Sequence, residues 1–189
     1  MRSRDHSDHW LALTGAALCM WLLLTAHCQA PPLIDHYNPY HGMLERGYNR
    51  GPFIDSANRW AGVPLGSPYC ASAGGWVLVR STGYQHPAVP ARARAWITDG
   101  ATDARRVWLG RDTIPVPSIG IWTRRGGGHW SLVYRVEGDR IYTFEFNTSP
   151  DAGGSQWDGK WSGRKVRSVK RDCAPTNAYR LTDFVQVSS

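Results

Sequence analysis

The chain has 189 residues, a length that suits one domain with a short extension and is enough to bury a real core. Its formal net charge is +7, and the surplus survives removal of the first thirty residues because Arg2 and Arg4 are balanced there by Asp5 and Asp8. Such a surface suits anionic partners, whether nucleic acid, acidic lipid or the phosphate-rich polymers of a bacterial envelope, whereas the cysteine count, 4, is too low for a disulfide framework.

Residues 1–10 are polar and carry two arginines, residues 11–26 are apolar, and small residues follow. That order is the pattern of a signal peptide, or of an N-terminal anchor if the segment is not cleaved. The apolar run falls short of the roughly 20 residues of a membrane span. We therefore expect residues 1–30 to direct export, to the periplasm or beyond, with membrane attachment only through an uncleaved segment. Residues 31–48 hold prolines, tyrosines and histidines without periodicity and read as a linker. His36 and His41 have no carboxylate or cysteine at ligand spacing, so surface histidines are expected and no metal.

From residue 49 the chain reads as one folded domain to residue 189. Asn49-Arg50-Gly51-Pro52 introduces a helix, with Pro52 suited to its first turn and Phe53, Ala57 and Trp60 along one side. Pro64, Gly66, Ser67 and Pro68 then forbid regular structure, and the proline-free stretch Ala71 to Arg80 predicts a second helix capped by Gly83. Cys70 stands in its first turn. Unsatisfied N–H groups and the positive end of the helix dipole favour a thiolate there. Two readings follow: an activated nucleophile, or a buried structural cysteine, with Cys173 as a free thiol or as the partner of Cys28 or Cys70. Gly74 and Gly75 each cost about 1 kcal/mol against alanine inside a helix, which predicts that another element packs closely against them.

Beyond this helix, a short helix is expected near Ala91–Ile97 and a solvated basic pair at Arg105-Arg106. Ile119-Gly120-Ile121-Trp122 reads as a strand. His129 to Val136 and Ile141 to Asn147 are rich in β-branched and aromatic residues and flank Glu137-Gly138-Asp139-Arg140, so they predict a hairpin. Tyr142, Phe144 and Phe146 share one face of its second strand, and Thr143, Glu145 and Asn147 share the other. That polar face is either the solvent side of an edge strand or part of a site with His129, which opens the first strand after Gly126-Gly127-Gly128. Register decides. A two-residue turn puts His129 on the face opposite Glu145 and Asn147, whereas an odd loop or a bulge puts them together. Residues 151–172 read as a twisted loop and an edge strand with charged gatekeepers, and residues 178–187 as a final strand closing the sheet.

A cysteine at a helix start, a histidine opening a strand and a polar group on the next strand are what cysteine-nucleophile chemistry requires: an imidazole to take the thiol proton, and a third group to orient it. In these residues the chain resembles the CHAP domains (cysteine, histidine-dependent amidohydrolase/peptidase), papain-like peptidoglycan hydrolases related to the NlpC-type cell-wall peptidases. The likeness runs from about Asn49 to Phe184 and is carried by Asn49-Arg50-Gly51-Pro52, Gly66-Ser67-Pro68-Tyr69-Cys70-Ala71, Gly128-His129 and Glu145-Phe146-Asn147-Thr148. A Gly-Asp pair common before the histidine strand is absent, with Ser118-Ile119-Gly120 in its place. The resemblance implies an α+β, papain-like fold, with N-terminal helices and the nucleophile helix packed on a small antiparallel sheet. It also implies Cys70 as nucleophile, His129 as general base and acid, Glu145 as third member and Asn147 as helper or alternative orienter. It implies hydrolysis of amide bonds in peptidoglycan by a monomer, as an endopeptidase or an N-acetylmuramoyl-L-alanine amidase, with no cofactor and no metal. The export signal and the lack of a binding motif speak against a nucleic-acid partner, and the basic surface makes anionic envelope polymers further expected partners. The alternative is a non-catalytic envelope-binding domain on the same scaffold.

Overall fold

Alternating apolar and polar residues in the C-terminal half of the chain build most of one antiparallel sheet. In the computed structural model, which describes residues 32–150, 159–177 and 179–187, its strands are β1 (Met43–Leu44), β2 (Thr102–Asp103), β3 (Ser118–Arg124), β4 (Gly127–Glu137), β5 (Arg140–Thr148), β6 (Trp161–Ser168) and β7 (Arg180–Gln186), in the order β1-β6-β5-β4-β3-β7-β2. Both edges are strands of only two residues, which leaves little unpaired backbone for edge-to-edge association. The expected C-terminal strand is present as β7, placed between β3 and β2. The helices are α1 (Pro52–Trp60), α2 (Cys70–Thr82), α3 (Ala104–Trp108) and α4 (Val169–Asp172). The fold is thus mixed α+β. Where a short helix is expected near Ala91–Ile97, a single 3₁₀ turn spans Ala93–Trp96. Arg106 in α3 pairs with Asp112 in an exposed ion pair of the kind that adds little stability.

One sheet face carries Ile119, Ile121, Trp130, Leu132, Phe144 and Phe146, all buried beneath α2 and α1. The other packs Trp122, Val133, Ile141, Leu181 and Phe184 against Ala104, Val169 and Cys173 of the α3 and α4 region. Helix α2 reaches its sheet face because it has no side chains where it needs none. A Cβ on Gly74 would stand 2.2 Å from Cζ3 of Trp130, and one on Gly75 2.3 Å from Cζ2 of Trp96. Gly83 ends the helix at φ 72°, in the left-handed conformation expected of its C-cap.

Residues 33–48 are not a linker. Tyr37 is fully buried among Trp130, Phe144 and Phe146 and donates its hydroxyl proton to the Gly74 carbonyl at 2.9 Å, while Met43–Leu44 pairs with β6 as β1. Aromatic anchoring, which has no sequence period, is what hid this arm. The chain from Leu33 onward belongs to one compact unit. Residues 1–30, Cys28 included, lie outside the described residues, and among those described no helix is long and apolar enough to cross a membrane.

Candidate active site

The loop before α2 is fixed by two asparagines. Asn49, at φ 50°, donates through Nδ2 to the Gly66 carbonyl at 3.1 Å. Asn58, buried on α1, donates to the Ser67 carbonyl at 3.1 Å and accepts from Ser72 Oγ of α2 at 2.6 Å. These bonds clamp the loop and the first turn of α2, whose first residue is Cys70. Neither Cys70 nor Cys173 is in a disulfide.

The hairpin that brings histidine to the cysteine solves the register problem with a bulge. Its turn is the two-residue one: Glu137 pairs with Arg140 across Gly138-Asp139. Left alone, that register would put His129 and Glu145 on opposite faces. The ladder slips by one residue at Tyr134, so that Val133 pairs with Thr143 and Ser131 with Glu145. His129, Ser131, Thr143 and Glu145 consequently share a face. Strand β5 lies between β4 and β6, and Glu145 is 0 % exposed, so the polar face is interior and β5 is no edge strand.

His129 Nε2 lies 3.1 Å from Glu145 Oε2, and its other nitrogen, Nδ1, is left for the hydrogen bond with Cys70. Because an ionised carboxylate only accepts, Nε2 carries the proton. Trp122 packs edge-on against the imidazole, with ring centroids 6.0 Å apart. Glu145 is further held by Thr143 Oγ1, which donates to Oε1 at 2.8 Å, and by Arg167, whose Nε donates to Oε1 at 2.7 Å and whose Nη2 donates to Oε2. Taking a lone carboxylate out of water costs several kcal/mol. Here each oxygen has two donors, and the bidentate arginine supplies the opposite charge.

The electrostatics follow from this chain of contacts. Burial pushes the Glu145 carboxyl up, but the charge and hydrogen bonds of Arg167, with those of His129, hold it well below the usual carboxylate range. Burial disfavours the imidazolium of His129, yet its bonds to Cys70 and Glu145 lift it to about 9. Burial likewise pushes the Cys70 thiol up, and His129 together with the backbone N–H groups of Trp130 and Ala71 brings it below its ordinary value. Both shifts act toward a thiolate–imidazolium pair. Cys173 is the contrast: burial and nearby Asp172 push its thiol up to about 12.

Asn147 does not take the orienting place. Glu145 occupies the histidine nitrogen that Asn147 would need, and Asn147 sits at φ 55° where the β5–β6 pairing slips between Glu145 and Thr148. Its backbone N–H is bonded to the hydroxyl of Tyr69, the residue before Cys70. Arg167 is the group that sequence reasoning missed, because basic residues on β6 read as solvent-facing gatekeepers. The available signal was the carboxylate itself: a buried Glu145 needs a counter-ion, and Lys165 and Arg167 alternate on the adjoining strand. Both are buried, at 7 % and 8 % exposure.

A cleft of about 550 Å³ lies over Cys70, walled by Val63, Ser67 and Pro68 on one side and Gly126–Gly128 on the other. The Cys70 sulfur is 4.0 Å from the Gly128 carbonyl oxygen, and a Cβ on Gly128 would lie 2.9 Å from the Trp122 carbonyl, so only glycine fits this wall. No group of three or more metal-ligating side chains occurs among the described residues. No family model matches the chain, and neither a curated protein nor a solved structure matches it. The function has to be read from these residues alone.

Proposed function

We propose that the protein is a cysteine hydrolase with a papain-like arrangement of helix and sheet, of the CHAP type, that acts after export on amide bonds of peptidoglycan. The observation that carries this reading is the buried relay Cys70–His129–Glu145, hydrogen-bonded in that order and opening on a cleft at the cysteine end. A structural cysteine needs neither a paired histidine nor a buried carboxylate neutralised by arginine. In the reaction the Cys70 thiolate attacks the amide carbonyl carbon, and the electron pair of the C=O moves to oxygen. The N–H of Cys70 and a neighbouring helix-end N–H receive the oxyanion. His129 gives its Nδ1 proton to the departing amine as the C–N bond breaks, leaving a thioester, and then takes a proton from the water that resolves it. Glu145 stays ionised throughout and keeps the ring oriented. The scissile amide lies within or between the stem peptides, or at the sugar to peptide junction.

Replacement of Cys70 by alanine tests this directly. Purified sacculi incubated with the C70A protein are expected to release no muropeptides, against release with new amino termini by the unaltered chain, while the two proteins keep the same circular dichroism and melting temperature. Equal release by both would sink the assignment. Absence of release by the unaltered chain, with a Cys70 inert to iodoacetamide near neutral pH, would favour the envelope-binding reading.

A further inference from the structure

Among the described residues, the walls of the cleft over Cys70 include Arg92, Arg94 and Arg124 and no acidic side chain. A second depression of about 400 Å³ shares Arg94 and Arg124 with the first and adds Arg125 and Arg180, again without an acid among the described residues. Composition alone does not produce this. The chain has 15 acidic residues against 22 lysines and arginines, and the depression lined by Asp103, Arg105, Arg180 and Asp183 carries both signs. The single-signed strip begins at the nucleophile and runs along the tip of the β3–β4 hairpin, away from α2.

Arg94 is held in position relative to the reacting sulfur. Arg94 Nη2 donates to the Arg124 carbonyl at 2.6 Å, which ties the 3₁₀ turn at Ala93–Trp96 to that hairpin tip. The same hairpin continues from Gly128 directly into His129. Trp96, at the end of the turn, is locked by its Nε1–H bond to the Pro90 carbonyl at 2.9 Å and by contact with Gly75 of the nucleophile helix. A planar guanidinium matches a carboxylate with two parallel hydrogen bonds, and clustered arginines concentrate anions near a cleft.

We propose that this strip is a subsite for a free carboxylate on the peptide flanking the scissile amide, so that the protein selects acidic, non-amidated peptide. The proposal rests on the peptidoglycan reading for the identity of the peptide. It deepens that reading by assigning Arg92 and Arg94 to substrate selection.

The test measures binding apart from cleavage. With C70A as the binding protein, titration calorimetry is run with muropeptides whose carboxylates are free and with the same muropeptides converted to carboxamides. Amidation is expected to weaken binding about tenfold, the scale of losing a charge-assisted hydrogen-bond pair. Adding R92Q and R94Q together to C70A should cost the same factor for the free acid and make the protein indifferent to amidation. R140Q, which removes a charge at the far tip of the β4–β5 hairpin, should change neither. Equal affinity of C70A for both forms, binding of neither, or tighter binding of a phosphate-bearing wall polymer stripped of peptide would each overturn the proposal. Muropeptide release by the unaltered chain is scored separately, so failure of the carboxylate subsite and failure of the hydrolase reading give different results.

Discussion

At the scale of single residues, the site is a line of charges whose protonation states depend on one another. His129 is lifted to about 9 from its ordinary 6.5, so its stabilisation is complete below 6.5 and lost as pH rises through about 9. Cys70 and Glu145 are lowered from 9.0 and 4.5, so their contributions are complete above those values and lost as pH falls through the folded ones. The pair Cys70⁻–His129⁺ is therefore favoured between the lowered thiol and the raised imidazole. Two measurements should diverge at its alkaline end. Amide hydrolysis needs the imidazolium proton for the leaving amine and is expected to decline above about pH 9. Alkylation of Cys70 by iodoacetamide, taken as the difference from C70A, needs only thiolate and should hold or rise there. E145Q removes the anion that supports the imidazolium, and its alkaline limb for hydrolysis should move to lower pH. An unmoved limb would show that Glu145 does not set the protonation of His129. The meeting of Cys70, His129 and Glu145 was legible in the sequence because the pattern of residue types and their order that nucleophile chemistry would need predicts it. Arg167 was not, since its partnership with Glu145 arises only from the neighbouring position of β6. A guanidinium that neutralises a buried carboxylate looks, in sequence, like any basic strand residue.

At the scale of elements, the Cys70 helix and the His129 hairpin are registered on one another by contacts that tolerate little change. The double glycine in α2 announced close packing but could not say against what. The partners are two tryptophans from different parts of the chain, one on β4 and one in a 3₁₀ turn. Substituting Gly74 by alanine relieves about 1 kcal/mol of helix propensity. It also drives a Cβ to 2.2 Å from the Trp130 ring, on the strand that carries His129. Overpacking of a tight core costs typically about 1–3 kcal/mol, and Trp130 is fully buried. Destabilisation should win. G74A is expected to lower the melting temperature and, by displacing Trp130, to slow hydrolysis more than it weakens substrate binding. A melting temperature at or above that of the parent would show that the helix can shift freely over β4. The hairpin teaches a related lesson. Gly138-Asp139 was visible as a turn, but the bulge at Tyr134 that reverses its consequence has no mark in the sequence, because it is set by backbone pairing and not by the residue that bulges.

At the scale of the whole molecule, the surplus of positive charge is distributed in two ways that salt should separate. Arg167 is buried on Glu145, two successive hydrogen bonds of 2.5 and 3.1 Å from His129, where ions in solution reach it poorly. Arg92, Arg94 and Arg125 are exposed along the cleft, and the chain as a whole carries +7. Under the proposed function, charges of the second kind would act on an anionic wall through water, over a screening length of about 10 Å at about 0.1 M salt and about 3 Å at about 1 M. Raising sodium chloride across that range is therefore expected to release the protein from sacculi and to reduce the rate at which sacculi clear. The rate at which iodoacetamide, a neutral reagent, modifies Cys70 should hardly change, because the ion pair that activates the thiolate is interior. Parallel loss of both would mean that salt reaches the relay itself and that the site is open to solvent in a way its burial forbids. Loss of clearing alone assigns the surface charge to adsorption and the buried charge to chemistry, and it predicts that small soluble muropeptides remain cleavable in salt that protects intact wall, less whatever factor the cleft arginines contribute.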